Sequence, residues 1–333
     1  SFTDKTRIVL LGNFNNKEEN ADWWNRRGLN ARKMLGTNLN DDDNKKLKLD
    51  FSLRWNHRGG DNQTENATEN FYSETSRTFS NSRTSNYTRS NNWRGNLRLE
   101  WKPDTLTNIL LRSNGTYGTD DATNTSLSAT FNDDPYLYST NPLEELSTPN
   151  SQLSSHFVNH NQSASLTYGE SKNIWAMLQL YRRLNPKGRN IVVRFEANAG
   201  NSQNENVSDN AVHLFLVKNQ FGQDSTYYTA RYNTTPSDNS GYVVSTTYSE
   251  PLWKGAHLQL NYEMRFSQNK SDRQTYDFSH LPQDPFAGIE PEYRDWDPWS
   301  KYIGGDLQSP IYLDDSLSRY SEYKNYTHNA RVN

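Results

Sequence analysis

The residues whose types could do chemistry are seven histidines, several acidic runs and clusters of tryptophan and tyrosine. Two histidines stand four apart in "HFVNH", His156 and His160. On a helix that spacing would offer both imidazoles to one metal ion. On a strand both point the same way but lie too far apart to share one, so we read them as solvated strand residues. The acidic runs "NDDDN" and "FNDDPY" invite calcium, but neither has EF-hand spacing. The first reads better as a turn. The second, around Asn132–Tyr136, leaves calcium open in a loop.

No catalytic constellation emerges. Serine and aspartate are too common to define a triad, and there is neither a nucleophile elbow nor a glycine-rich phosphate loop. We therefore expect no catalytic residues, no cofactor, no metal site and no enzyme. The better candidates are for binding: Tyr136, Tyr138, and Tyr293, Trp296 and Trp299 within "EYRDWDPWSKY". Aromatic faces stack on sugars or cyclic ligands, and neighbouring carboxylates accept hydrogen bonds from hydroxyls. The plainer reading is that these rings pack their loops onto the rest of the protein.

The elements that must position these residues are strands. In "AHLQLNYEMRF" the even positions Leu258, Leu260, Tyr262, Met264 and Phe266 are apolar, and His257, Gln259, Asn261, Glu263 and Arg265 alternate with them. Period-two alternation gives one dry face and one wet face. "KLKLDFSLRW" sets Leu47, Leu49, Phe51, Leu53 and Trp55 against Lys48, Asp50, Ser52 and Arg54. "WRGNLRLEW" sets Trp93, Leu97, Leu99 and Trp101 against Arg94, Asn96, Arg98 and Glu100. "NIVVRFEANA" repeats the pattern, and "NIWAMLQLYRRL" follows it with Trp175 and Met177 on the wet side. A helical stripe through any of these would collect charges.

Ten strands are expected, beginning near Thr6, Gly28, Lys46, Thr78, Leu106, His156, Gly188, Ser225, Gly255 and Ser318. Short joins rich in turn formers fall at Asp41–Lys45, Lys102–Thr107, Asn185–Asn190 and Ser249–Gly255. Between them come long polar joins at Gly60–Asn92, Asp120–Asn161 and His280–Ser316. Short turns at one end and long loops at the other are the asymmetry of an outer-membrane barrel. Trp101, Trp253, Tyr181 and Tyr248 lie near the short turns, where an interfacial girdle would put them.

Composition is compatible with this. The mean hydropathy is -1.05, and no run of 18 apolar residues forms a membrane helix. Alternating strands average to polar, so a barrel escapes that test. An aromatic content of 13% argues against disorder. The net charge of -3 and the scattered lysines and arginines leave no footprint for nucleic acid. The absence of cysteine excludes disulfides and thiolate metal sites. Alternation alone equally suits a soluble β-sandwich with its dry face on a core. Charges along the whole wet face favour a wide aqueous lumen.

The phrases "NLRLEWKPDTLTNILLR" (Asn96–Arg112), "RRLNPKGRNI" (Arg182–Ile191) and "YSEPLWKGAHLQLNYE" (Tyr248–Glu263) resemble the TonB-dependent receptor-like outer-membrane β-barrel family. "FTDKTRIVLLGNFNN" and "GLNARKMLGTNLN" look like earlier strands of the same barrels. The likeness covers nearly the whole chain and speaks to fold, not substrate. It implies an all-β antiparallel transmembrane β-barrel of 22 strands, of which residues 1–333 would supply about ten. The family's N-terminal plug, with its TonB-contact motif, has no counterpart here, nor do the remaining strands. Both ends look cut, and we expect a fragment whose ten strands do not close.

The resemblance implies a bacterial outer-membrane location, lipid around the barrel, a nutrient ligand and dependence on the TonB system. Partner proteins on the extracellular loops are a further expectation. Two alternatives stay open: a non-transporting barrel acting as a scaffold in a surface or secretion assembly, and a soluble β-rich adhesin or carbohydrate-binding protein.

Overall fold

The computed structural model describes residues 7–19, 26–41, 46–73, 76–148, 151–253, 256–280 and 307–333. These form ten strands: β1 (Arg7–Glu19), β2 (Arg26–Asp41), β3 (Leu47–Ser73), β4 (Ser76–Trp101), β5 (Thr107–Phe131), β6 (Phe157–Arg183), β7 (Asn190–Lys218), β8 (Asp224–Trp253), β9 (Ala256–Asp277) and β10 (Arg319–Val332). They make one antiparallel sheet in the order β1 to β10, each strand beside its neighbours in sequence. Every expected strand start falls within two residues of the observed one. Among the described residues β1 pairs only with β2 and β10 only with β9, so the sheet is open at both margins.

The strands are long. β8 has 30 residues and β7 has 29. At about 3.3 Å per residue such strands run roughly 95 Å, with about three times the 9–11 residues a tilted strand needs to cross a bilayer. Strands longer than a crossing, with the excess projecting as hairpins, are what the sequence leads one to expect, but the bounds of the polar joins differ. Gly60–Asn92 is no loop: β3 and β4 stay paired residue by residue up to Phe71 and Arg77. Asn, Ser and Thr conceal the strand because they are polar on both faces, yet their backbone groups still complete the ladder. The Asp120–Asn161 join shrinks to Asn132–His156 for the same reason. β8 also runs through Pro251 to Trp253, with a register shift between them, where a turn was expected. Of the His280–Ser316 join, residues 281–306 lie outside the described residues, as do 42–45 of the Asp41–Lys45 turn.

The joins β2–β3, β4–β5, β6–β7 and β8–β9 lie at one end of the sheet, here the near end. Their turn chemistry is local. Asp104 accepts from Leu106 N at 2.7 Å and from Thr107 Oγ1 at 3.1 Å. Asn185 Oδ1 accepts from Arg189 N at 3.0 Å, and Gly188 takes φ +104°, which a side chain would resist. At the far end the β7–β8 join is as tight as these, closed by Asn219 Oδ1 and by Gly222 at φ +77°. The asymmetry between the ends therefore resides in strand extension as well as in loop length.

Two apolar clusters lie toward the far end. In one, Ala129, Phe131, Leu143, Leu153 and Phe157 pack the β5–β6 join onto the sheet. In the other, Leu307 closes over Leu166, Val207, Ala230, Tyr232, Tyr276 and Phe278. Tyr312 packs edge-on against Phe278, 4.8 Å between centroids, and Gln308 Nε2 donates to Tyr232 Oη at 3.2 Å. Both clusters grow from the same face of the sheet as the apolar alternation nearer the turns.

Candidate functional site

Register turns the separate alternations into one surface. Reading across the strands, Phe51 pairs with Leu97, then Ser113, Ala176, Ala197, Tyr242, Phe266 and Tyr326. The rung below reads Leu49, Leu99, Leu111, Leu178, Phe195, Val244, Met264 and His328. A one-residue slip anywhere would throw one strand's apolar set onto the wet face. Nothing among the described residues covers these rungs: Leu178 is 47% exposed, Phe195 46% and Phe51 37%. A second sheet, which a sandwich would need, is missing among the described residues.

The apolar band is inclined. On β4 it runs from Trp93 to Trp101, and on β9 from Leu258 to Phe266. The upper limit on β9, Phe266, is level with Leu97 and not with Trp93, a drift of two rungs across five strands. With rungs about 6.8 Å apart and strands about 4.8 Å apart, the band crosses the strands at about 30° from the perpendicular. Its upper border on β3–β5 is an aromatic row that sequence reading did not single out: Trp55 opposite Trp93, and Trp93 opposite Tyr117. The signal was present in the eight-residue interval between Trp93 and Trp101. At the near end Trp101 and Trp253 are exposed, as a girdle requires. Tyr181 is not part of it. It pairs with Asn108 and Val192 on the wet face, because it alternates with Leu180.

Beside the band, the opposite face carries most of the charges, and several of them are partnered along the strands. Arg98 reaches Glu100 at 3.2 Å, Arg265 reaches Glu263 at 3.5 Å, and Arg194 pairs with Glu196. Glu100 also holds Lys102 at 3.0 Å. Residues two apart share a face, so each pair keeps its charge off the apolar side. Around Asn38, Asn96, Arg112 and Trp175 this face hollows into an opening of about 410 Å³.

The expected binding aromatics divide into two groups. Tyr293, Trp296 and Trp299 lie outside the described residues. Tyr136 and Tyr138 lie in and just after a 3-10 turn, Pro135–Leu137, in the β5–β6 join. The ring of Tyr138 stacks on His156 at 4.5 Å, and its hydroxyl donates to Asp133 at 2.8 Å. That bond holds the Asp133 carboxyl below the usual carboxylate range and raises the Tyr138 hydroxyl. Tyr136 exposes half its surface, and its hydroxyl accepts from the buried Asn81 at 3.0 Å.

The carboxylates of "FNDDPY" are used within the loop, since Asp134 caps the turn by accepting from Tyr136 N at 3.0 Å. No group of three metal-ligating side chains occurs among the described residues. The two histidines also depart from expectation. His156 ends a 3-10 turn and is not in a strand. His160 is half-buried and stacks on His213 of β7 at 4.5 Å. Burial first, and the His213 charge second, push the His160 imidazole down from its ordinary value.

No family model matches the sequence. No curated protein matches it either. Among solved structures, a structure of the RagAB peptide transporter is similar at a TM-score of 0.25 with 9% identity, covering 76% of this chain and 36% of that one. The chain thus spans about a third of that structure's chain.

Proposed function

We propose that this sheet is part of the wall of an outer-membrane β-barrel receptor that admits a nutrient with energy from the TonB system. The apolar band faces lipid, and the charged face lines an aqueous lumen. The near-end turns lie in the periplasm, and the far-end hairpins project outside. Further strands pairing with β1 and β10 would close the barrel. The protein does no covalent chemistry.

The observation that carries this reading is the inclined, uncovered apolar band, with the ion pairs of Arg98, Arg194 and Arg265 on the other face. Its inclination of about 30° is close to the 35–45° tilt of membrane barrel strands, and a water-exposed apolar area of this extent marks an interaction surface. On β4 the band takes nine positions from Trp93 to Trp101, the length a tilted strand needs to cross. The soluble adhesin reading has no cover for this surface among the described residues.

A scaffold reading is favoured by one feature. Phe71, Tyr72 and Phe221 stand exposed at far-end hairpin tips, as a docking partner would require. Loss of uptake on removing the TonB system separates receptor from scaffold.

Epitope tags on intact cells test the orientation. A tag in the β7–β8 turn at Gln220 should be surface-accessible, and one at Lys187 should not. Labelling at Lys187 alone would invert the topology, and equal labelling at both would remove the membrane from the account.

A further inference from the structure

On the polar face, register assembles arginines that are far apart in sequence. Arg54 on β3 lies directly opposite Arg94 on β4. Arg98, four residues along β4 on the same face, lies directly opposite Arg112 on β5. Like charges placed opposite each other destabilise a sheet. Here the arrangement occurs twice within three adjacent strands.

Arg98 has counter-ions, Glu100 at 3.2 Å and Asp50 at 4.0 Å. Asp50 also accepts a hydrogen bond from Asn40. Arg54, Arg94 and Arg112 have no ion pair and no side-chain hydrogen bond among the described residues. All four guanidiniums are exposed on the face that carries the sheet's charges.

Between them the sheet presents neutral donors and one aromatic plane. Asn96 sits between Arg94 and Arg98, Asn114 lies opposite Asn96, and Trp175 lies opposite Asn114. Arg98, Arg112, Asn114 and Trp175 share the wall of the 410 Å³ opening, which Asp50 also lines. An opening of that size suits a small molecule and not a folded partner.

We propose that this opening binds a small polyanionic solute bearing carboxylates or phosphates. Arg112 and Arg98 hold its oxyanion groups, Arg94 and Arg54 supply the field from the next rungs, and Trp175 packs against its apolar part. Arginine's planar fork suits carboxylate and phosphate alike. The bound anion neutralises the two opposed pairs, which gives those costly positions a use. The inference needs only the wetness of this face, so it stands or falls separately from the membrane placement.

Calorimetric titration of the full chain in detergent tests it, with citrate and inorganic pyrophosphate as probes at ionic strength held constant with sodium chloride. The expected result is saturable binding of at least one probe, weakened tenfold or more in the double variant Arg94→Gln/Arg112→Gln. In thermal unfolding, Arg94→Gln should raise the midpoint without anion and lose most of the rise that the bound probe gives wild type. Binding unchanged in the double variant, or heats that merely follow ionic strength, would overturn the proposal. So would binding of a hexaglutamate peptide with neither small anion bound, which would assign the cluster to an acidic polypeptide.

Discussion

Trp55 and Trp93 stand directly opposite each other on β3 and β4, their ring centroids 6.1 Å apart on the apolar face. They are 38 positions apart in sequence, at the level where the band gives way to polar rungs. His57, two residues beyond Trp55, already bonds Asn91 at 2.9 Å. Indole rings favour such a border because one side is apolar and the N–H wants a polar partner.

The contact should be measurable as a coupling. A double-mutant cycle with Trp55→Ala and Trp93→Ala should give about 0.5–1.5 kcal/mol, the range for aromatic pairs beyond their burial. Urea unfolding in lipid vesicles reads it. Strict additivity of the two losses would show that the rings do not touch.

Gly188 should be costly to replace. Its φ of +104° strains any side chain, although a Cβ there would meet nothing closer than Pro251 Cγ at 3.5 Å. Gly188→Ala should destabilise by about 1–3 kcal/mol. Gly95→Ala, whose Cβ would lie 3.8 Å from Leu53, should cost far less. The same urea unfolding compares them, and equal losses would contradict the turn conformation.

The β5–β6 join should loosen in acid through His160. Its folded pKa lies below the ordinary 6.5, so the unfolded chain takes up a proton first as pH falls. Stability from the neutral stack with His213 and Phe215 is therefore full above about pH 6.5 and declines as pH drops toward the folded value. On β5, Ala129 lies opposite His160 and carries no charge, so of its two cross-strand partners only His213 is ionisable. Hydrogen exchange at residues 132–148, corrected for intrinsic rate, should accelerate between pH 7 and 5 in wild type and less so in His160→Phe. Identical pH profiles would remove His160 as the cause.

Much of this architecture was legible in the sequence where one face is apolar. Leu258–Phe266 and Leu47–Trp55 announce strands because every second residue changes solvent. The Asn-, Ser- and Thr-rich extensions, Gly60–Asn92 among them, were not legible, since both faces are polar and only the ladder reveals them. Tyr181 was assigned by proximity to a turn, while its face follows from counting along β6. The arginine cluster was invisible for a different reason. Arg98 and Arg112 meet only through register, which depends on where the Lys102–Leu106 turn closes.

Lipid contact at the apolar band is tested most directly at two adjacent residues of β9. Leu260 pairs with Tyr248 and Val332 on the apolar face, and Gln259 points to the other side. A charge at the bilayer midplane of such a strand costs about 2–4 kcal/mol. Quantifying the folded protein in isolated outer membranes, Leu260→Arg should markedly reduce assembly while Gln259→Arg leaves it close to wild type. Equal assembly of the two variants would contradict a lipid-facing band.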